Sequence, residues 1–232
     1  MYSSKIDGIY SNFPKKLLDT YKHKGQRARL VEELEEKGIN DPRILDAIAK
    51  VPRHLFVENA FQHEAYEDKA LPIQSGQTIS QPFTVAYQTY SLDLKPKMKI
   101  LEVGTGSGYQ AAILAAMGMR VFSVEIDARL HREAKERLDN LGLKVKLHKG
   151  DGSMGWPTFQ PYERIIVTAA SPGIPESLKQ QLEIGGIMIL PVGNLSQQQM
   201  TLVKKISRRE FEIHKLDHFH FVPLRGKYGF EE

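Results

Sequence analysis

Three alternate glycines, Gly104, Gly106 and Gly108, sit between an apolar run and an alanine-rich one, and this junction restricts the chain more than any other feature. The apolar run Lys99–Val103 predicts a strand, and Tyr109–Met117 predicts a helix. Glycines at such a junction let the backbone turn sharply and let a ligand approach with no side chain in the way. Further apolar runs follow at Arg120–Ile126, Lys144–Leu147, Arg164–Ala169 and Ile187–Val192. Helical stretches at Ala128–Leu141 and Pro175–Leu182 separate several of them. Alternation of this kind predicts an α/β fold whose mostly parallel sheet is covered on both faces. Near the end, Gln199–Ile206 and Phe211–Val222 flank the charged turn Ser207–Glu210 and predict an antiparallel hairpin closing the sheet.

Helices are expected ahead of the sheet. The first forty residues are charged and helical in character, and Asp41-Pro42 supplies a cap followed by proline at the first helical position. The helix it opens runs through Lys50, with Ile44, Leu45, Ile48 and Val51 on one side. Leu71–Pro82 is polar and small, with Gly76 and two prolines, and predicts a loop before helical character resumes at Phe83–Leu94. No linker separates the halves. Residues 1–232 are therefore expected to form a single domain, with a helical segment at 1–95 carrying a loop at 74–82 and an α/β core at 96–232.

Composition excludes several chemistries. The chain has no cysteine, which rules out disulfides, thiolate metal sites and a cysteine nucleophile, and fits a reducing compartment. The net charge of +4 is mild, and the basic residues are interspersed with acids, as in Glu33, Glu35, Glu36 and Lys37. That pattern describes a solvated surface rather than a nucleic-acid footprint. Met1–Tyr10 lacks the apolar core of a signal peptide, and Ala111–Met119 is too short to span a bilayer. The chain is expected to be soluble and cytoplasmic, with no membrane or nucleic-acid partner.

The glycine spacing narrows the ligand. A dinucleotide turn, Gly-x-Gly-x-x-Gly, would place its third glycine where Tyr109 stands. Here the spacing is Gly-x-Gly-x-Gly with Glu102 just before it. A carboxylate there disfavours a pyrophosphate and suits a cationic amino-acid moiety, which points to S-adenosylmethionine. Glu125 ends the next strand, with Ile126 beside it, where a carboxylate can accept from ribose hydroxyls. Asp151-Gly152 follows the third strand, where a carboxylate can accept from an adenine amino group.

The methyl acceptor is narrowed by what is missing. Cytosine C5 methylation needs a cysteine. Amino methylation of bases uses an Asn-Pro-Pro-aromatic turn, where this chain has Val167-Thr168-Ala169-Ala170-Ser171-Pro172. Catechol-type methylation needs a metal with oxygen ligands, and no spare carboxylate cluster stands out, so no metal is expected. A carboxylate acceptor is already ionised at neutral pH and needs only alignment and exclusion of water. Gln77-Thr78-Ile79-Ser80-Gln81-Pro82 offers hydroxyl and amide donors for one. Methylation of a small molecule or RNA is the alternative.

Several motifs together resemble the protein-L-isoaspartate (D-aspartate) O-methyltransferase family. They are Val51-Pro52-Arg53-His54-Leu55-Phe56-Val57, Ala65-Tyr66-Glu67-Asp68, Leu71-Pro72-Ile73, Gly76 to Pro82, the glycine run, Gly150-Asp151-Gly152, Gly185-Gly186 with Leu190-Pro191-Val192-Gly193, and Phe221-Val222-Pro223-Leu224. The likeness runs from about residue 30 to 227, and Glu163-Arg164 replaces an Asp-Arg that is frequent in the family. It implies a Rossmann-like class I methyltransferase fold that uses S-adenosyl-L-methionine and yields S-adenosyl-L-homocysteine. It implies methylation of the free α-carboxylate of L-isoaspartyl residues in damaged proteins and peptides, beginning repair through a succinimide. Ser80 would orient that carboxylate, and Val222, Pro223 and Leu224 would hold the peptide. Ile79, Gln81, Pro82, Phe83, Glu102, Gly104, Gly106, Gly108, Glu125, Ile126, Asp151 and Gly152 would bind the cofactor.

Three other signals carry a plainer reading. His218 and His220 alternate on a strand without a third ligand and read as surface or structural residues. Trp156 reads as core packing, and His54 as filler at a helix interface.

Overall fold

The computed structural model describes residues 19–231. Helix α1 (Tyr21–Glu36) buries Arg27, Leu30 and Leu34. Helix α2 (Pro42–Lys50) starts as its sequence predicts, with the Asp41 side chain accepting from the Arg43 amide and Ile44, Leu45 and Ile48 buried. The expected helical character of residues 1–18 lies outside the described residues.

The stretch expected to be a plain loop carries a small antiparallel pair, β1 (Leu71–Pro72) and β2 (Thr78–Ile79), with Leu71 opposite Ile79. Both of these side chains are buried, and that apolar contact explains the pairing of so polar a segment. Helix α3 (Pro82–Ser91) follows directly.

The α/β part contains β3 (Lys99–Val103), α4 (Tyr109–Ala116), β4 (Arg120–Glu125), α5 (Ala128–Asn140), β5 (Val145–Lys149), β6 (Tyr162–Val167), α6 (Glu176–Gln181), β7 (Leu182–Gly193), β8 (Gln198–Lys205) and β9 (Phe211–Phe219). They form one sheet in the order β5-β4-β3-β6-β7-β8-β9. The first five pair in parallel, while β7–β8 and β8–β9 are antiparallel. Strand β7 is longer than its apolar run because it begins straight after α6 and crosses Gly185-Gly186 before the apolar residues start.

The sheet separates two apolar layers. On one face Ile100, Val121 and Ile166 pack with α4, α5 and the N-terminal helices. On the other, Leu101, Val103, Phe122, Val124, Ile165 and Val167 pack with Leu178 and Leu182. Each fully buried leucine or isoleucine contributes about 1.5–3 kcal/mol, so the N-terminal helices are held mainly by this contact. Arg164 carries its charge inward by donating to the Leu92 and Asp93 carbonyls, which fixes the α3–β3 connection. Glu163, the departure from the family pattern, accepts from the Lys99 amide at 2.8 Å. Among the described residues, no helix is long and apolar enough to cross a membrane.

Candidate active site

Strand order reverses between β3 and β6, because the chain runs outward through β4 and β5 before returning. Ligands of such sheets bind outside the strand ends at this reversal. A cleft open to solvent lies there. Its walls are Gly104–Ser107, Tyr109, Gln110, Glu125, Ile126, Thr168 and Ala169 on one side, with Gln77–Ser80 and Val222–Arg225 on the other.

The glycine loop has steric reasons for its composition. Gly104 has φ +94°, and a Cβ there would stand 2.7 Å from the Thr168 hydroxyl oxygen. That hydroxyl donates to the Gly104 carbonyl at 2.5 Å, locking the loop to the end of β6. Gly108, at φ +90°, packs against Ala134 and Leu138 of α5. The loop is thus pinned from behind while its backbone faces the cleft bare.

Glu125 and Glu102 are both expected to contact the cofactor, Glu125 at the ribose and Glu102 at the cationic moiety, and the fold separates them. Glu125 lines the cleft; one oxygen accepts from the Gly106 amide at 2.8 Å and the other from the Asp127 amide at 2.9 Å. A carboxylate has about four acceptor positions, so each oxygen keeps capacity for a ribose hydroxyl. Glu102 does not line the cleft. Strand alternation places it on the Ile100 face, where α4 covers it completely. Burial pushes its carboxyl up to about 8, against the Ser123 hydroxyl bond that favours ionisation and together with the nearby Glu125 charge. Ser123 in turn bonds the Thr105 hydroxyl at 2.6 Å, so Glu102 supports the loop from below and is chiefly neutral at pH 7. The expected direct contact to a cationic moiety is therefore replaced by a supporting role, for the physical reason that a strand side chain follows its face.

Asp151 and Gly152 also stand apart from the cleft lining. One Asp151 oxygen accepts from the Ser153 amide and hydroxyl, at 2.9 and 2.6 Å, and the other from the Lys227 amide at 2.8 Å. The C-terminal segment at Gly226 passes directly over it. Gly152 is needed because a Cβ would meet the Val103 side chain at 2.7 Å.

Of the residues around Ser80, Ile79 and Ser80 line the cleft, and Gln81 lines a second cavity beside it. Pro82 and Phe83 line neither. Pro82 opens α3, and the Phe83 ring leans on Tyr87. The second cavity is bounded by Thr78, Ser80, Gln81, Thr84, Thr168, His218, His220, Phe221 and Val222. Thr78, Ser80, Thr168 and Val222 are common to both spaces, so the two meet at Ser80. Val222, Pro223 and Leu224 all line the cleft, and their backbone is fixed by Ala170, which donates to the Val222 carbonyl at 2.8 Å and accepts from the Leu224 amide at 2.7 Å.

Comparison with known proteins settles the lineage. A model of the protein-L-isoaspartate (D-aspartate) O-methyltransferase family matches residues 25–229. The chain belongs to that family. It is 49% identical over 211 residues to a protein-L-isoaspartate O-methyltransferase of Cytophaga hutchinsonii, covering 91% of this chain and 96% of the relative. It is 47% identical over 218 residues to one from Dictyoglomus thermophilum, covering 94% and 99%. A solved protein-L-isoaspartate O-methyltransferase at 30% identity superposes with a TM-score of 0.80, over 87% of this chain and 66% of that one. A putative one from Plasmodium falciparum, solved in complex with S-adenosyl-L-homocysteine, shares the fold at TM-score 0.75 and 23% identity, over 88% and 98%.

Within this methyltransferase the sequence reading overlooked Thr168, Tyr109, Gln110 and Arg225 as cleft residues. Only Thr168 had a local signal, as the hydroxyl next to the end of β6. His218 and His220, expected to be surface or structural residues, are exposed and border the second cavity together with Phe219 and Phe221. Trp156 packs against Phe122 and Phe159 and stacks on His148 at 4.8 Å, away from the cleft. His54 is buried, stacked on His23 and bonded through Nδ1 to the Tyr66 hydroxyl at 2.6 Å. Asp19 also lies close to these two rings. Arg27 takes both of its oxygens, at 3.0 and 2.9 Å, which makes the group a salt-bridged helix interface.

Proposed function

We propose that Ser80 orients the free α-carboxylate of an L-isoaspartyl residue for methyl transfer from S-adenosylmethionine. The meeting of the cofactor cleft and the second cavity at Ser80 is the observation that carries this reading. The cofactor suits the cleft on two grounds: the bare glycine backbone and the spare acceptor capacity of Glu125. When bound, S-adenosylmethionine supplies an electrophilic methyl group on a sulfonium, which passes to a carboxylate oxygen as its sulfur–carbon bond breaks.

The residues of the chain have modest chemical work. The acceptor carboxylate is ionised at neutral pH, so none of them serves as a general base. Ser80 donates its hydroxyl hydrogen to one carboxylate oxygen and leaves the other free to attack. Glu125 accepts from the ribose, Gly104 and Gly106 let the loop approach the cofactor, and Gly108, outside the cleft lining, lets the loop pack on α5. Ile79 and Ile126 cover it with apolar surface, which excludes water and strengthens the ion–ion attraction. Val222–Leu224 present a fixed extended backbone to the peptide, whose flanking residues extend into the second cavity. The following backbone amide nitrogen then attacks the methyl ester and expels methanol, closing a succinimide without further help from the enzyme, and hydrolysis returns some normal aspartate. The substrates are damaged proteins and peptides met in the cytoplasm, and the described residues act as one domain.

Labelled S-adenosylmethionine and paired peptides differing only in isoaspartyl or aspartyl linkage test this. Base-labile ester on the isoaspartyl peptide alone is expected. Equal labelling of both peptides, or of neither, defeats it.

A further inference from the structure

Two sequence motifs, Val51–Val57 and Ala65–Asp68, have no part in either cavity wall, yet each carries a buried charged side chain, Arg53 and Asp68. Helix α3 begins at Pro82, which has no amide hydrogen, and its cap residue Gln81 makes no side-chain cap of its own. The first amide at that helix end, Phe83 N–H, is taken instead by Asp68 at 2.7 Å. The other Asp68 oxygen accepts from the Gln81 side chain at 3.0 Å and from the Lys37 ammonium at 2.6 Å. The Asp68 side chain is only 3% exposed. One carboxylate therefore grips both residues that flank Pro82, immediately after Ser80.

The segment carrying Asp68 is itself suspended from Arg53. This fully buried guanidinium donates to the Ala65 carbonyl at 2.8 Å and to the Lys69 carbonyl at 3.2 Å. Its carbon lies 5.0 Å from the centre of the Tyr109 ring. Tyr109 follows the glycine loop, opens α4 and lines the cofactor cleft. A continuous set of contacts thus runs from the cofactor wall through Tyr109, Arg53, the 65–69 backbone and Asp68 to the loop bearing Ser80.

We propose that Asp68 is a positioning residue for methyl transfer, with Arg53 as the strut that sets the Ser80 loop against the cofactor wall. It rests on the reading of Ser80 given above. Charged hydrogen bonds to a buried carboxylate are strong and directional, and they hold a polar loop where apolar packing gives little precision. In-line transfer tolerates little displacement, since a shift near 1 Å costs about 100-fold in rate. Lys37, half-exposed at the end of α1, neutralises the Asp68 charge from the solvent side.

The test is steady-state methyl transfer to an isoaspartyl peptide by the full chain, with S-adenosylhomocysteine affinity measured on the same preparations. The unaltered chain and Ser80→Ala are assayed first; equal turnover by these two defeats the Ser80 reading before the strut is reached. For Asp68→Asn, kcat is expected to fall roughly 10- to 100-fold while peptide KM and S-adenosylhomocysteine Kd stay within about threefold. Should Asp68→Asn not fold, Lys37→Met decides, with an expected kcat loss of about three- to tenfold and the same two constants held. Turnover within about twofold of the unaltered chain in the variant that decides overturns the proposal. Cofactor affinity falling in step with kcat also overturns it, because that marks general structural damage. A merely structural Asp68 would lower Tm without splitting kcat from Kd.

Discussion

The wall of the cleft proposed to hold the cofactor and the wall proposed to hold the acceptor, the cofactor wall and the acceptor wall, are made from different materials. The cofactor wall comes largely from one strand–loop–helix–strand unit, Val103 to Ile126, and its shape depends on backbone geometry: Gly104 at φ +94° against Thr168, and Glu125 clasping the Gly106 amide. The acceptor wall joins Thr78–Gln81 to Val222–Leu224, segments far apart in the chain, and its shape depends on anchors outside them, Asp68 for the first and Ala170 for the second. A local unit fixes its own geometry as it folds. A wall assembled from remote segments is only as precise as the polar contacts that hold them.

Substitutions that damage one wall and spare the other sharpen this contrast. The largest effect is expected for Gly104→Val. A β-branched residue at that φ is strained by about 1–2 kcal/mol before its Cβ meets the Thr168 hydroxyl. Calorimetry with S-adenosylhomocysteine should show affinity lowered by more than about 100-fold. Retained affinity would mean that the loop is not held as tightly as its contacts imply.

Ser80→Ala addresses the opposite wall. Turnover on an isoaspartyl peptide should fall by about 100-fold, with cofactor affinity unchanged within roughly twofold. Loss of both together would merge the two walls into one unit and break the contrast.

The last effect is on stability rather than on the cleft and concerns Glu102. Its folded carboxyl titrates near 8 against an ordinary 4.5, so between these values the folded state holds a proton that the unfolded state has released. Stability therefore falls as pH rises through this window, by at most about 1.4 kcal/mol per pH unit, and levels off above 8. Glu102→Gln keeps the neutral shape and should flatten this part of the profile, as read by urea unfolding at pH 5, 6.5 and 8. An unchanged slope would show that Glu102 is ionised in the folded chain.

Much of this was legible in the residues themselves. The strands β3 and β4, the capped helix at Asp41-Pro42, the closing hairpin and the glycine loop each follow from local pattern, because periodicity, capping and turn chemistry act over a few residues. The same range explains what was misjudged. Glu102 stands next to the glycines in sequence, but pleating turns it beneath α4, and only the packed sheet shows that it is sealed from the cleft.

The sequence by itself determined an α/β chain with a cofactor loop, cysteine-free chemistry and a family whose motifs span nearly the whole described chain. The tertiary structure decided which acid lines the cleft, Glu125 and not Glu102, and that Asp151 is engaged by the C-terminal segment. It also decided that His218 and His220 border a cavity meeting Ser80, and that Asp68 holds the loop beside it. The reason is range: a glycine's φ or a helix cap depends on its neighbours in sequence, whereas burial and hydrogen-bond partnership depend on which distant segments the sheet brings together.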